Sequence, residues 1–163
     1  MTDAHARPSA RSVTWTVAEE PVGGAPARTL LAAYAQEVGA AIGEPPAALS
    51  GPGDDLVPPH GVFLVARLAG EPAGCAGVRL LDAGTAELKR LYVAGTARGT
   101  GLGRGLMAAA EEAARRLGAA RLVLDTREEL VAARRLYERC GYTEVPPYNA
   151  NAMAGLWYAR PLR

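Results

Sequence analysis

The chain is poor in several residue types, and each shortage limits what it can do. Lysine occurs once, at Lys89, so arginine carries almost all of the positive charge, and the net charge is only +1. A balance this close to neutral gives no overall attraction to nucleic acid or to an anionic membrane surface, and neither is expected as a partner. No apolar run approaches the roughly 20 residues that cross a bilayer, so no membrane-spanning helix is expected.

Cysteine and histidine are also scarce. Cys75 and Cys140 lie far apart without the spacing of metal ligands, which predicts two reduced thiols, no metal site and a cytoplasmic location. His5 and His60 are the two histidines, and neither accompanies a nucleophile motif, so a Ser-His-Asp mechanism is not indicated. His60 precedes a predicted strand and is expected to be a solvated loop residue.

The length of the chain predicts a single domain. Residues 1–10 are polar, lack the apolar core of a signal peptide and are predicted to form a disordered tail. Residues 11–163 are predicted to form one folded domain, and an apolar content of 49% is enough for a sizeable core.

A strand, a glycine-rich turn and a helix follow one another in residues 87–117. Residues 87–93 carry the apolar alternation of a strand, and residues 94–100 form the turn. From about Gly101 the apolar residues recur at three- and four-residue steps, which predicts an amphipathic helix that ends before Gly118, a residue expected at positive φ. The predicted inner face comprises Leu102, Leu106, Ala109, Ala110, Ala113 and Leu117, and the outer face Glu111, Glu112, Arg115 and Arg116.

This turn has the features of an oxyanion site. Gly99, Gly101 and Gly103 remove side chains where the helix begins, which leaves its unpaired N–H groups and positive dipole end accessible. Arg98 and Arg104 flank the loop and could each neutralise a phosphate charge. A pyrophosphate cradle is one interpretation, and a turn needed only for close strand–helix packing is the other. The P-loop pattern fails because no Lys-Ser or Lys-Thr follows, and the G-x-G-x-x-G fingerprint fails in both registers.

Two segments together resemble a known family. Residues 98–103 read R-x-x-G-x-G after an ELKRLYV strand, and residues 133–142 read A-x-x-L-Y-x-x-x-G-Y. In this order and at this separation they resemble the acetyl-CoA-binding core of the GNAT superfamily of N-acetyltransferases, over about residues 61–158. The resemblance implies an α/β fold with a mixed sheet, in which antiparallel N-terminal strands are followed by a parallel β-α-β core that binds CoA.

The other elements, predicted from periodicity and turn signals, agree with that fold. Residues 61–68, 73–81 and 87–93 are expected to form three consecutive antiparallel strands, and a crossover helix makes strand 121–126 parallel to strand 87–93. The remaining predictions are a strand at 12–18, helices at 26–42, 46–49 and 128–140, a strand at 142–145, a loop at 146–149 and a final strand at 155–160.

The resemblance also implies how acetyl-CoA is held, without a metal. The pyrophosphate would lie on the turn, and the main chain of the preceding strand would hydrogen-bond the pantetheine arm. The implied cofactor-binding residues are Leu91, Tyr92, Val93, Arg98, Gly99, Thr100, Gly101, Leu102, Gly103 and Arg104. Many family members carry Asn where this chain has Leu130, so one pantetheine contact is expected to be missing or supplied by another group.

Two side chains are candidates for proton transfer. Glu87 resembles a family carboxylate near the substrate amine, where it would act as general base. The alternative is a surface glutamate paired with Lys89 or Arg90. Tyr137 matches the family tyrosine that reaches the CoA sulfur, where it would act as general acid, and the alternative is an amphipathic core tyrosine.

The loop expected on the acceptor side contains Tyr148, Asn149 and Asn151. These side chains are candidates for gripping a substrate carboxylate or amide, or for satisfying turn backbone groups. The resemblance, the size and the near-neutral charge favour an N-acetyltransferase that acts on a small primary amine. A non-catalytic acyl-CoA-binding module and a protein N-terminal or lysine acetyltransferase stay open, as does assembly into a homodimer.

Overall fold

In the computed structural model, which describes residues 14–162, seven strands form one sheet and three α-helices pack on it. In chain order the elements are β1 (Trp15–Glu19), α1 (Ala25–Ile42), β2 (Gly61–Leu68), β3 (Glu71–Leu80), β4 (Thr85–Val93), α2 (Leu102–Arg116), β5 (Arg121–Thr126), α3 (Val131–Arg139), β6 (Thr143–Glu144) and β7 (Leu156–Pro161). Short 3-10 helices lie at Pro46–Leu49 and Gly95–Ala97. The predicted tail and the first residues of the predicted first strand lie outside the described residues.

The sheet is mixed, with the strand order β1-β2-β3-β4-β5-β7-β6. β1 to β4 pair antiparallel in sequence, β4 and β5 are parallel, and β7 is antiparallel to both β5 and β6. The predicted fold class, antiparallel strands followed by a parallel β-α-β core, is therefore confirmed. The final strand of the chain was expected to close the sheet at its edge. Instead, β7 inserts between β5 and β6, and β6 forms the edge.

The helices divide between the two faces of the sheet. α2 and α3 pack on one face against strand residues that include Leu88 and Leu122. α1 packs on the other face, where Leu30 meets Phe63. Successive side chains of a strand point to opposite faces, so Glu87 lies on the face that α1 covers.

β4 and β5 are paired over only three residues each. Thr85, Ala86 and Glu87 pair with residues 121–123, and within residues 14–162 the rest of β4 has no partner strand on that side. β5 continues to Thr126 in contact with β7. The two central strands therefore separate after Glu87, and the main chain of β4 forms one wall of the cleft between them.

α3 is shorter than predicted. The expected helix spanned residues 128–140, whereas the helix begins at Val131, and Leu130 precedes it as an N-cap without a side-chain capping bond. The N–H of Leu130 donates to the carbonyl of Arg127 at 3.1 Å, so residues 127–130 form a separate turn. Leucine has no side-chain oxygen with which to cap a helix. The helix therefore begins at Val131, after the turn, instead of at residue 128.

The prediction that Glu111 lies on the outer face of α2 is wrong. Glu111 is 6% exposed. Its Oε1 accepts hydrogen bonds from the Tyr142 hydroxyl at 3.1 Å and from Nη1 of Arg160 at 2.9 Å. Helical spacing placed this carboxylate opposite the core, but partners from β7 and the α3–β6 turn satisfy it, which permits its burial.

We expect Glu111→Ala to lower the free energy of unfolding by about 1–3 kcal/mol, because it leaves the buried Tyr142 hydroxyl without an acceptor. Glu112→Ala on the same helix is the matched control: it removes exposed ion pairs with Arg115 and Arg116 and should change stability by less than about 0.5 kcal/mol. Urea unfolding followed by circular dichroism measures both variants. An equal loss in both would contradict a buried role for Glu111.

Candidate active site

The turn between β4 and α2 exposes main-chain amides at a helix start. Gly99 and Gly101 adopt φ of 78° and 85°, which glycine reaches without steric cost. The amide of Gly105 bonds the carbonyl of Gly101 at 3.0 Å, so the N–H groups of Gly103 and Arg104 before it have no acceptor within the helix. The first turn of α2 carries no acidic side chain. This end of the helix therefore presents free donors and a positive dipole to an oxyanion.

The two interpretations of the glycines apply to different residues. A Cβ at Gly103 would lie 3.3 Å from Leu136 of α3, so this glycine allows α2 and α3 to pack closely. A Cβ at Gly99 would meet nothing within 4 Å, and one at Gly101 only Trp15, at 3.8 Å. At Gly99 and Gly101 the missing side chain therefore leaves open space, from which a phosphate could approach the main chain.

The two arginines beside this turn are held by protein groups. The guanidinium of Arg98 forms an ion pair with Glu37 of α1. Arg104 is exposed at the start of α2, and its charge and side-chain hydrogen bond act on the Cys140 thiol. The cradle therefore consists mainly of amides, with Arg104 at its rim, and Arg98 reaches a ligand only by exchanging Glu37.

The wall of the cleft is an irregular part of β4. Leu91, Tyr92 and Val93 follow a register shift in the pairing of β3 with β4, where Arg90 adopts φ of 55°. A bulge of this kind bends the strand and changes the aim of its main chain. Because the cleft side of this segment has no partner strand in residues 14–162, its main chain is free to hydrogen-bond an extended ligand, and the binding of pantetheine there stays a prediction.

Glu87 is buried on the wall of the same cleft, at 1% exposure, so it is not a surface glutamate, although the pairing with Lys89 that this alternative included is present. Its Oε1 accepts from Nε of Arg79 at 2.9 Å and lies 3.6 Å from Nζ of Lys89. Its Oε2 accepts from the hydroxyl of Tyr148 at 2.6 Å. The carboxylate is thus hydrogen-bonded on both oxygens.

A cavity of about 300 Å³ adjoins this pair and is lined by Glu87, Tyr148, Arg79 and Arg121, among others. Burial and the hydrogen bond to Glu87 raise the pKa of Tyr148, so its phenol stays protonated at neutral pH. Asp55, from the segment between α1 and β2, forms an ion pair with Arg79 and ties that segment to the sheet beside the cavity. The cavity is therefore bounded on several sides.

The loop that carries Tyr148 is fixed by a polar network. Nδ2 of Asn149 donates to Asp125 of β5 at 2.8 Å, and its Oδ1 accepts from the indole N–H of Trp157 at 2.8 Å. Nδ2 of Asn151 also donates to Asp125, at 3.3 Å, and its Oδ1 accepts the amide of Met153 at 3.1 Å. These contacts favour a structural role for both asparagines, which position Tyr148, over direct contact with a substrate.

Tyr137 is 6% exposed and belongs to the core on the face of the sheet opposite to Glu87. Its ring packs between Tyr142 and Tyr158, with centroids 6.3 Å and 6.1 Å away. Its hydroxyl has no hydrogen-bond partner within residues 14–162. Burial, followed by the neighbouring Tyr34 and Asp125, raises the pKa of Tyr137, so this phenol is a proton donor rather than a phenolate.

Comparison with known proteins identifies the family. Residues 29–142, more than half of the chain, match the acetyltransferase (GNAT) family, and the chain belongs to that family. An uncharacterized N-acetyltransferase of Schizosaccharomyces pombe is 39% identical over 105 residues, which cover 63% of this chain and 64% of that protein. An IAA acetyltransferase of Azospirillum brasilense is 35% identical over 94 residues, covering 57% and 61%. The chain thus spans about three fifths of the length of these curated relatives.

Solved structures show the same fold. A protein described as an acyl-CoA N-acyltransferase from Klebsiella pneumoniae has a TM-score of 0.75 at 28% identity, over 91% of this chain and 98% of that one. An acetyltransferase from Streptococcus agalactiae has a TM-score of 0.76 at 22% identity, over 91% and 98%. The predicted family resemblance is confirmed by both kinds of comparison.

Sequence reasoning missed two side chains of the site, Arg79 and Asp125. Arg79 could have been found by counting through the β3–β4 connection, because that register places it opposite Glu87. Within residues 14–162 there is no cluster of three or more His, Cys, Asp or Glu side chains arranged for a metal ion. In the same residues no helix has both the length and the apolar character to cross a membrane.

We expect Gly101→Ala to weaken the binding of CoA about five- to tenfold, because a Cβ at this φ costs about 1 kcal/mol and displaces the neighbouring amides. Gly95→Ala is the control, since Gly95 lies outside the positive φ region and a Cβ there would meet nothing within 4 Å. Calorimetric titration with CoA measures both variants. Equal affinity in the two would show that the Gly101 turn does not hold the cofactor.

Proposed function

We propose that this protein is an acetyl-CoA-dependent N-acetyltransferase that moves the acetyl group to the primary amine of a small molecule by direct attack. The observation that carries the proposal is the cleft where β4 leaves β5. Along this cleft the main chain of β4 leads from the buried Glu87, which accepts from Tyr148, to the turn with free amides at the start of α2. Family membership supports the same chemistry.

The chain's main-chain donors fit the extended, anionic shape of acetyl-CoA. The amides of Gly103 and Arg104 would hold the diphosphate, and the strand edge at Leu91, Tyr92 and Val93 would hydrogen-bond the pantetheine arm. Bound acetyl-CoA supplies a thioester that is already activated toward an amine. An N–H of the same strand edge would stabilise the negative charge that develops on the thioester oxygen.

Proton removal from the amine is assigned to Glu87, acting through Tyr148. Tyr148 and Glu87 both line the cavity, and the Tyr148 hydroxyl already donates to Oε2 of Glu87 at 2.6 Å. The phenol oxygen would accept the amine proton while its own proton passes to Glu87, so that one proton leaves the amine and one arrives on the carboxylate. Arg79 and Lys89 keep Oε1 occupied and hold the carboxylate in place.

Tyr137 is assigned as the general acid for the departing thiolate. Its hydroxyl has no competing partner in the described residues, and burial holds it in the protonated form. A phenol that is protonated and free to donate is suited to deliver a proton to sulfur.

The size of the cavity supports a small acceptor. About 300 Å³ lies at the lower end of the range of small-molecule sites. The ion pair of Asp55 with Arg79 ties the segment between α1 and β2 to one residue of the cavity lining.

We expect Glu87→Gln to lower kcat about 10²-fold or more and Tyr137→Phe about 10-fold or more, because each removes a proton-transfer group. Thiol release from acetyl-CoA with a panel of primary amines measures the rate. Glu71→Gln, at an exposed position of β3, is the control and should match the wild-type rate.

Two results would count against this mechanism. Wild-type rates in both variants would remove the assigned roles of Glu87 and Tyr137. Tight CoA binding without any amine-dependent thiol release would instead favour a non-catalytic acyl-CoA-binding module, for which the full pairing of Glu87 offers some support.

The raised pKa of Tyr137 also predicts the alkaline side of the pH profile. A phenol donates only below its pKa, which for free tyrosine is about 10. Because burial moves this pKa upward, kcat should not decline between about pH 8 and pH 10 through loss of the acid. A descending limb in that range, absent from Tyr137→Phe, would contradict the assignment.

A further inference from the structure

Arg90, on the segment of β4 that follows Glu87, is a cation without an acidic partner in the described residues. Its side chain is half-buried, and within residues 14–162 its guanidinium forms no ion pair or hydrogen bond. By contrast, Arg79 is paired with Glu87 and Asp55, and Lys89 lies 3.6 Å from Glu87. A partly desolvated guanidinium without a counter-charge is costly, and proteins keep such groups mainly where a ligand completes the pair.

The backbone at Arg90 is arranged to aim this side chain. Its φ of 55° is uncommon for a residue with a Cβ and costs energy, and it coincides with the bulge of β4. The guanidinium lies along the segment between α1 and β2, where a Cβ at Gly51 would be 2.6 Å from Nη2 and one at Gly53 3.4 Å from Nη1. Two glycines thus leave the space that the guanidinium occupies.

A carboxylate lies across the cleft on β5. Asp125 accepts hydrogen bonds only from the neutral amides of Asn149 and Asn151, among the described residues, and pairs with no cation there. Asp125 lies two residues beyond Val123, the last residue of β5 that pairs with β4, and Arg90 lies three residues beyond Glu87, the partner of Val123. The cation of β4 and the carboxylate of β5 therefore stand on the two strands that flank the cleft.

We propose that the acceptor is an amino acid, whose carboxylate is bound by Arg90 and whose amine lies toward Asp125 and Glu87. A guanidinium matches a carboxylate with two parallel hydrogen bonds, and an ammonium group complements the uncompensated carboxylate of Asp125. This inference rests on the proposed function, because it names the substrate class of the same site. A polyamine would place a second cation against Arg90 and is disfavoured by like-charge repulsion.

The test uses matched acceptors in which a primary amide replaces the carboxylate, and rates are expressed per unprotonated amine because the amide also lowers the pKa of a neighbouring amine. Glycine, β-alanine, 4-aminobutyrate and L-phenylalanine are each compared with the corresponding primary amide, by thiol release from acetyl-CoA. The first three lengthen the separation of amine and carboxylate one methylene at a time. We expect at least one acid to exceed its amide about 10- to 100-fold in kcat/KM, the range of one charge-assisted hydrogen bond.

Variants separate the role of Arg90 from a general loss of activity. Arg90→Gln should raise KM for the preferred acid about 10- to 100-fold while KM for its amide and for acetyl-CoA stays unchanged. Arg90→Lys keeps the charge but loses the planar fork, so its KM for the preferred acid should lie between those of wild type and Arg90→Gln. Arg28→Gln, an exposed arginine of α1, is the control.

Calorimetric titration of the CoA-loaded protein with the same acids gives a readout without turnover. Binding to wild type that weakens tenfold or more in Arg90→Gln supports the inference. Thiol release with amines but with no preference for an acid over its amide overturns the inference and leaves the proposed function standing. If no amine accelerates thiol release, the proposed function fails. The inference is also overturned if the acids bind neither wild type nor Arg90→Gln, or bind the two proteins with equal affinity.

Discussion

The separation of β4 from β5 after Glu87 is the constraint on which the site depends. Three residue pairs hold the two strands together, and beyond them each strand keeps only the partner on its other side. The unpaired segment of β4 retains main-chain donors and acceptors that a buried strand would normally use up. The separation begins at Glu87, so this buried carboxylate lies at the point where the strand edge becomes free.

Much of this could be read from the sequence, because the elements that form the frame have strong local signals. β2 and β5 have the predicted bounds, and the glycine turn gave the start of α2 to within one residue. The family motifs indicated the cofactor loop and the candidate proton-transfer groups. These features depend on neighbours along the chain, which a single sequence displays directly.

The remaining features depend on contacts across the fold. The burial of Glu111 requires Tyr142 and Arg160, which are distant in sequence, so helical spacing alone assigned it to the wrong face. The commitment of Asn149 to Asp125 and Trp157 likewise appears only when β5 and β7 are paired. The sequence therefore did not predict the side-chain networks between elements that are distant along the chain.

Residues 14–162 contain two buried glutamates with similar partners, one on each face of the sheet. Glu87 accepts from an arginine and a tyrosine, and so does Glu111. Glu111 belongs to a helix, whereas Glu87 adjoins a strand edge with unused hydrogen-bonding capacity. A structural search that used only the Arg-Glu-Tyr trio would therefore match both locations. To find similar active sites in other folds, the search must also require an unpaired strand edge beside the trio.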